Sequence, residues 1–226
     1  YLYDNTEQLL QAAREGVFDI LFETTKKFNF EVVSLYTSGA RAIYTDKPIM
    51  TPEDLAGYKI RVQDSDTYIR MIDLMGGVGI AMAQSEVYTA TQQKVIEGGE
   101  NSERVYVDFK HYEVAPYFSY TNHLVMADTV IANREFLEDM DEETREIFYR
   151  LMDESMEQEF QLMDESVKQG RQEAEARGAQ FVYPDVEEFR KRCQPLLDEI
   201  ANQSQVTRDI YDRVQKIKEE TEVPEA

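Results

Sequence analysis

Between Asp141 and Arg177 the residues Ile147, Phe148, Leu151, Met152, Met156, Phe160 and Met163 recur at helical spacing in a heavily charged background, which predicts one long helix. Its internal echo points the same way. Leu151-Met152-Asp153-Glu154-Ser155 returns as Leu162-Met163-Asp164-Glu165-Ser166, about three helical turns on and so on one face, which supports a helix rather than a repeat architecture.

The chain before this helix alternates. Asp4 to Phe28 carries Leu9, Leu10, Ala13, Val17, Ile20 and Leu21 at spacings of three and four, which predicts an amphipathic helix with Asn5 or Thr6 as N-cap. Phe30 to Tyr36 and the stretch around Ala42 to Tyr44 read as strands, with Gly39 between them. Thr51 caps a single helical turn with Pro52 at its first position and Gly57 at its end. A strand over Tyr58 to Val62, a helix from Ser65 to Met75 closed by Gly76-Gly77, and a strand over Val78 to Met82 follow. Ser85 starts a helix expected to run to about Ile96, and Gly98-Gly99-Glu100-Asn101 is too rich in glycine to continue it, so a loop or strand edge is expected there. This alternation makes the first half α/β. Tyr117 to Ala132 is long enough for two strands or for one that passes between lobes, and the single passing strand is the expectation. Phe181 to Tyr183 reads as a short strand, and Asp185 to Lys218 as two helices before a polar tail.

Composition removes several classes of function. Forty-five acidic against 24 basic residues give a net charge of −21, which repels a phosphate backbone and argues against nucleic-acid binding. The same charge disfavours an anionic membrane surface, no apolar run is long enough to span a bilayer, and direct membrane insertion is not expected. Cys193, the only cysteine, lies beside Leu196 and Leu197 on a predicted helix and reads as a half-buried structural thiol. His111 and His123 lack metal-ligand spacing to other donors, so neither a metal nor a cofactor is expected. No nucleophile, metal set or phosphate loop supports an enzyme, and no catalytic residue is assigned.

Three signatures occur in order. They are Ser38-Gly39-Ala40-Arg41; then Lys47-Pro48-Ile49 with Thr51-Pro52-Glu53-Asp54-Leu55-Ala56-Gly57-Tyr58-Lys59-Ile60-Arg61-Val62; then Ser85-Glu86-Val87-Tyr88-Thr89-Ala90 leading to Glu97-Gly98-Gly99-Glu100-Asn101. Together they resemble the solute-binding proteins of tripartite ATP-independent periplasmic (TRAP) transporters, the DctP family. The familiar Asp-Gly-x-Glu-Asn-Pro reads here Glu97-Gly98-Gly99-Glu100-Asn101-Ser102, a departure that leaves Asn101 in place.

The resemblance implies an α/β, periplasmic-binding-protein-like fold of two lobes with a long helix spanning both. It implies residues 1–35 as a remnant of the first lobe, 36–122 as the second lobe with the ligand-binding residues, and 123–226 as the return to the first lobe. The chain starts inside that first lobe, so the lobe is expected to be incomplete, which invites dimerisation or strand exchange. A secretory signal peptide is not in this chain. The implied activity is extracytoplasmic, in the periplasm: capture of a small organic acid, a sugar acid such as a uronate or a C4-dicarboxylate, and delivery to TRAP membrane permease subunits. A sensor or interaction protein that has lost its ligand is the alternative, and an organic-acid enzyme the remoter one.

By the same resemblance Arg61 forms the salt bridge to the ligand carboxylate, and Arg41 and Asn101 line the pocket. A guanidinium suits the role because its planar fork accepts both carboxylate oxygens, whereas lysine offers charge without orientation. On the residues alone Arg61 reads as a surface arginine and Asn101 as a turn residue. Gln84 reads as a pocket wall or an exposed residue before a helix, and Tyr88 as an aromatic wall or core packing.

Overall fold

In the computed structural model, which describes residues 1–221, helix α1 (Thr6–Arg14) starts at Asn5, whose side chain accepts from the Gln8 backbone N–H. It stops at Gly16, which takes φ +62° while the Gly16 and Val17 N–H groups turn back to the Ala13 and Ala12 carbonyls. Val17 is fully buried beneath that turn, so the end is sealed by an apolar contact. Helix α2 (Asp19–Glu23) and a 3₁₀ turn over Thr24–Phe28 follow. The single helix expected over Asp4 to Phe28 is therefore broken, because a glycine free to adopt left-handed backbone outweighs the apolar period that runs through it.

Strand β1 (Phe30–Tyr36) pairs antiparallel with β7 (Asp128–Asn133) in a two-stranded sheet, with Val33 bulged out between the pairs Val32–Ile131 and Ser34–Val130. A second sheet has six strands: β2 (Ala40–Thr45), β3 (Lys59–Val62), β4 (Val78–Ala81), β5 (Gly98–Ser102), β6 (Tyr117–Val125) and β8 (Gln180–Val182), in the order β4-β3-β5-β2-β6-β8. β3 is parallel to β4 and β5, β2 is antiparallel to β5, and β6 is parallel to β8.

Between β3 and β4 lies α3 (Asp66–Met75), ended by Gly76 at φ +111°. Before β3 the Asp54 carboxylate accepts from the Met50 and Thr51 N–H groups at the start of the 3₁₀ turn Pro52–Leu55. Between β4 and β5, α4 spans only Val87–Gln92 after a 3₁₀ turn at Gln84–Glu86, shorter than the helix expected to Ile96.

Two other expectations are corrected. Gly98-Gly99-Glu100-Asn101 is no loop or edge: it forms β5, buried along its whole length between β3 and β2. The glycines are what permit the approach, since a Cβ on Gly98 would overlap the Tyr44 carbonyl oxygen and one on Gly99 would stand 2.5 Å from the Tyr44 hydroxyl. Tyr117 to Ala132 is two strands in different sheets, separated at Met126-Ala127, and not one. Two short helices, α5 (Glu103–Asp108) and α6 (Arg134–Glu138), escape the apolar-period reading because neither is long enough to show one.

The long helix is present as α7 (Glu142–Ala176), followed by α8 (Glu187–Ala201) and α9 (Gln205–Thr221). The expected polar tail beyond α9 lies outside the described residues. The described residues divide into two compact units: Tyr1, Gly39–Leu124 and Ser166–Glu199 in one; Leu2–Ser38, Val125–Glu165 and residues 200–221 in the other. The division differs from three successive segments at 1–35, 36–122 and 123–226, because residues 166–199 group with 39–124. At 35 residues, or about 52 Å, α7 is divided between the units, and β8 after it completes the six-stranded sheet.

The first unit packs Ala42, Tyr44, Val87, Ile96, Tyr106, Phe118 and Ala174 into one buried cluster. In the second, α1 lies against α9, and Lys218 pairs with Asp4 at 3.0 Å. Cys193 is buried, and that burial pushes its thiol up to about 11, so it is an inert structural thiol at neutral pH.

Candidate ligand-binding site

β3 lies between the two strands parallel to it, so the connection from β3 to β4 and the one from β4 to β5 leave in opposite directions across the sheet. Such a reversal opens a crevice outside the carboxyl ends of the strands. The sequence places polar side chains there. Arg61 is the third of four residues in β3, Gln84 follows the end of β4, and Asn101 is the fourth of five in β5. Arg41, near the start of antiparallel β2, lies opposite Ser102 at the same end of the sheet.

The two arginines are in different electrostatic states. Arg41 is 2% exposed and donates from Nε and Nη2 to the two carboxylate oxygens of Glu100, both at 2.7 Å, and from Nη1 to Asn101 Oδ1 at 2.9 Å. Glu100 is fully buried and also meets His123 Nε2 at 3.3 Å. Thr121 Oγ1 accepts from the Ile43 N–H and meets His123 Nδ1 at 2.9 Å. An ionised Glu100 carboxylate only accepts, so Nε2 of the neutral His123 ring carries the proton and Nδ1 accepts from the Thr121 hydroxyl. Burial would raise the Glu100 carboxyl, but the hydrogen bonds from His123 and Arg41 outweigh it and hold the carboxyl below its usual range. His123 is held below its usual value chiefly by burial. Arg41 and Glu100 thus form a closed neutral pair.

Arg61 has no such partner. It is 3% exposed and donates from Nε to the Met82 carbonyl at 2.8 Å and from Nη1 to Gln84 Oε1 at 2.7 Å, both neutral acceptors. No carboxylate lies within ion-pair distance of it among the described residues. Burial lowers its pKa from the ordinary arginine value, and the Glu100 charge, itself committed to Arg41, offsets this only in part. A buried charge is costly until paired, and an anion would relieve that cost.

The amides are fixed by this arrangement. Gln84 Oε1 accepts from Arg61 and, at 3.3 Å, from Asn101 Nδ2, while Asn101 Oδ1 accepts from Arg41 and from the Ser102 N–H at 2.8 Å. Gln84 Nε2 is buried and has no hydrogen-bond partner among the described residues. Two unused donors, Arg61 Nη2 and Gln84 Nε2, flank the Arg61–Gln84 hydrogen bond.

The structure thus joins four of the five residues singled out from sequence, Arg61, Gln84, Asn101 and Arg41, into one hydrogen-bonded chain. Tyr88 stands apart from it, its hydroxyl donating to Glu113 at 2.7 Å. Sequence reasoning missed Glu100, Thr121 and His123 as members, and Tyr68, whose ring lies 5.8 Å from the Arg41 guanidinium. Glu100 had a signal in its place beside Asn101; the others join through contacts remote in sequence. Among the described residues no group of three or more His, Cys, Asp or Glu could hold a metal ion, and no helix is long and apolar enough to cross a membrane.

Residues 1–204 match the family of bacterial extracellular solute-binding proteins, family 7 (DctP), and the chain belongs to that family. It is 32% identical over 177 residues to a solute-binding protein of Chromohalobacter salexigens, the match covering 77% of this chain and 53% of that protein. It is 33% identical over 221 residues to the protein YiiZ of Salmonella typhimurium, covering 96% of this chain and 67% of the relative. Among solved structures, a TRAP periplasmic solute-binding protein from Anaerococcus prevotii with bound D-glucuronate superposes with a TM-score of 0.89 at 37% identity, covering 98% of this chain and 72% of that one. The chain spans only part of the length of these relatives.

Proposed function

We propose that this chain is part of the extracytoplasmic, periplasmic solute-binding component of a TRAP transporter, and that it captures a hexuronate such as D-glucuronate through Arg61 for delivery to the membrane permease. The observation that carries this reading is a buried guanidinium whose hydrogen bonds go only to a backbone carbonyl and a neutral amide. A carboxylate supplies the missing charge, and the planar fork accepts it with a defined orientation. Gln84 Nε2 provides a neutral donor beside it for a second oxygen. The relative from Anaerococcus prevotii with bound D-glucuronate supports the choice of sugar acid. Arg41 acts in this reading as a brace: its charge is committed to Glu100, and it holds Asn101 in the orientation that in turn holds Gln84.

Binding rather than turnover is the role this arrangement suits, because Arg61 and Gln84 concentrate donors for an anion. Calorimetric titration of the full chain with D-glucuronate tests it. Two charge-assisted hydrogen bonds of about 1.5–3 kcal/mol each predict that Arg61→Ala weakens binding by roughly 10²- to 10⁴-fold. Arg61→Lys keeps the charge, loses the fork, and falls between the two. Equal affinity of wild type and Arg61→Ala would sink the reading.

A further inference from the structure

On the sheet face that carries Arg61, the strand register sets Ile80, Arg61, Gly99 and Tyr44 in one row across β4, β3, β5 and β2. Directly paired residues project to the same side. Gly99 leaves a gap in that row, and the Tyr44 hydroxyl occupies it, 2.5 Å from where a Gly99 Cβ would stand. The hydroxyl therefore reaches across β5 toward the strand of Arg61.

Tyr44 is fully buried, and its hydroxyl has no hydrogen-bond partner among the described residues. His111, 1% exposed, stacks on the same ring at 5.1 Å between centroids and 29° between planes, and neither of its ring nitrogens has a partner. The hydroxyl of Tyr112, next in the chain, is buried and unpartnered as well. Around them Tyr106, Phe118 and Val107 belong to the same buried cluster, and the Tyr106 hydroxyl is already committed, donating to the Ala115 carbonyl at 2.9 Å. Buried side-chain polar atoms almost always find a partner, protein or ordered water, and three neighbouring residues without a protein partner form a polar patch inside an aromatic core. A neutral imidazole has one donor and one acceptor nitrogen, and a tyrosine hydroxyl donates and accepts, so the species that suits both is small and equally able to donate and accept.

We propose that Tyr44 and His111 share an internal water-binding site behind Arg61, so that the guanidinium is backed by neutral, hydrated groups instead of a counter-ion. Such a backing is compatible with ligand capture, because a carboxylate in that place would compete with the acid for the same cation. His111 fits the role: burial, with the Arg61 charge added, lowers it to about 4, so the ring is neutral at pH 7. The water site stands on the geometry of Tyr44, Gly99 and His111; only its consequence for ligand capture rests on the proposed function.

The test is a double-substitution cycle in urea with Tyr44→Phe, His111→Phe and the pair, together with a high-resolution crystal structure of the wild-type chain. A shared water predicts that each single change lowers the unfolding midpoint and that the pair costs less than the sum, since the second change removes a partner already lost. The crystal should show a density peak within about 2.6–3.2 Å of the Tyr44 hydroxyl and of one His111 nitrogen. A Tyr44→Phe midpoint equal to or above wild type, additive losses, or a crystal with no peak there would overturn the proposal. If either variant fails to fold, the wild-type crystal decides alone. Neither measurement uses the acid, so this inference and the Arg61 reading fail separately.

Discussion

Replacing Glu100 with Gln keeps the volume of the side chain and removes the one charge that neutralises Arg41. Glu100 is fully buried and takes two 2.7 Å hydrogen bonds from Arg41 and a 3.3 Å contact from His123. Breaking a buried ion pair by removing one partner costs about 3–5 kcal/mol, and the retained amide oxygen places this case near the lower bound. For a chain of this size, with roughly 2–4 °C per kcal/mol, a loss of about 3 kcal/mol lowers the melting temperature by roughly 6–12 °C. The effect depends on pH. The folded-state pKa of Glu100 is lowered, so its contribution is fully present above the unfolded carboxylate value of about 4.3 and is lost as pH falls through the folded value. Thermal melts of wild type and Glu100→Gln at pH 7 and at steps below pH 4.5 should therefore show a gap that narrows with acid. A variant that melts within a degree of wild type at pH 7, or a gap that widens with acid, would refute the closed-pair account.

Two further substitutions separate binding from folding. Gln84→Leu removes the acceptor for Arg61 Nη1 and the donor beside it, and should weaken D-glucuronate binding by roughly 10- to 100-fold, the value of one hydrogen bond to a charged group; an unchanged calorimetric affinity would take Gln84 out of the site. Gly98→Ala drives a methyl group into the Tyr44 carbonyl oxygen and should destabilise the six-stranded sheet by about 1–3 kcal/mol or more, read as a lower urea midpoint; a wild-type midpoint would contradict the β2–β5 register.

Much of the fold was legible because its signals are local. The Thr51-Pro52 turn, the Gly76 cap and the period of α7 each lie within a few residues of the backbone they direct. Gly16 was an equally local signal, overlooked because the apolar period continues through it. Gly98-Gly99 was misread for a different reason: glycine in a strand is favoured only where another backbone comes close, and the tyrosine that comes close is Tyr44, on a strand about fifty residues earlier in the chain. The site divides along the same line. Arg61, Arg41, Gln84 and Asn101 lie on or beside recognisable motifs, but which arginine keeps an open charge depends on where the Glu100 carboxylate points, and that is settled by β5 lying between β2 and β3. His123 looked like an isolated histidine in sequence and is bound to Glu100 and Thr121 in the structure.

A crystal structure of the full chain soaked with D-glucuronate tests the role of Arg61 most directly. The account predicts the sugar carboxylate within hydrogen-bond distance of the Arg61 guanidinium and of Gln84 Nε2, with the Arg41–Glu100 pair intact. A carboxylate held by Arg41 in place of Glu100, or a sugar bound with Arg61 untouched, would contradict it.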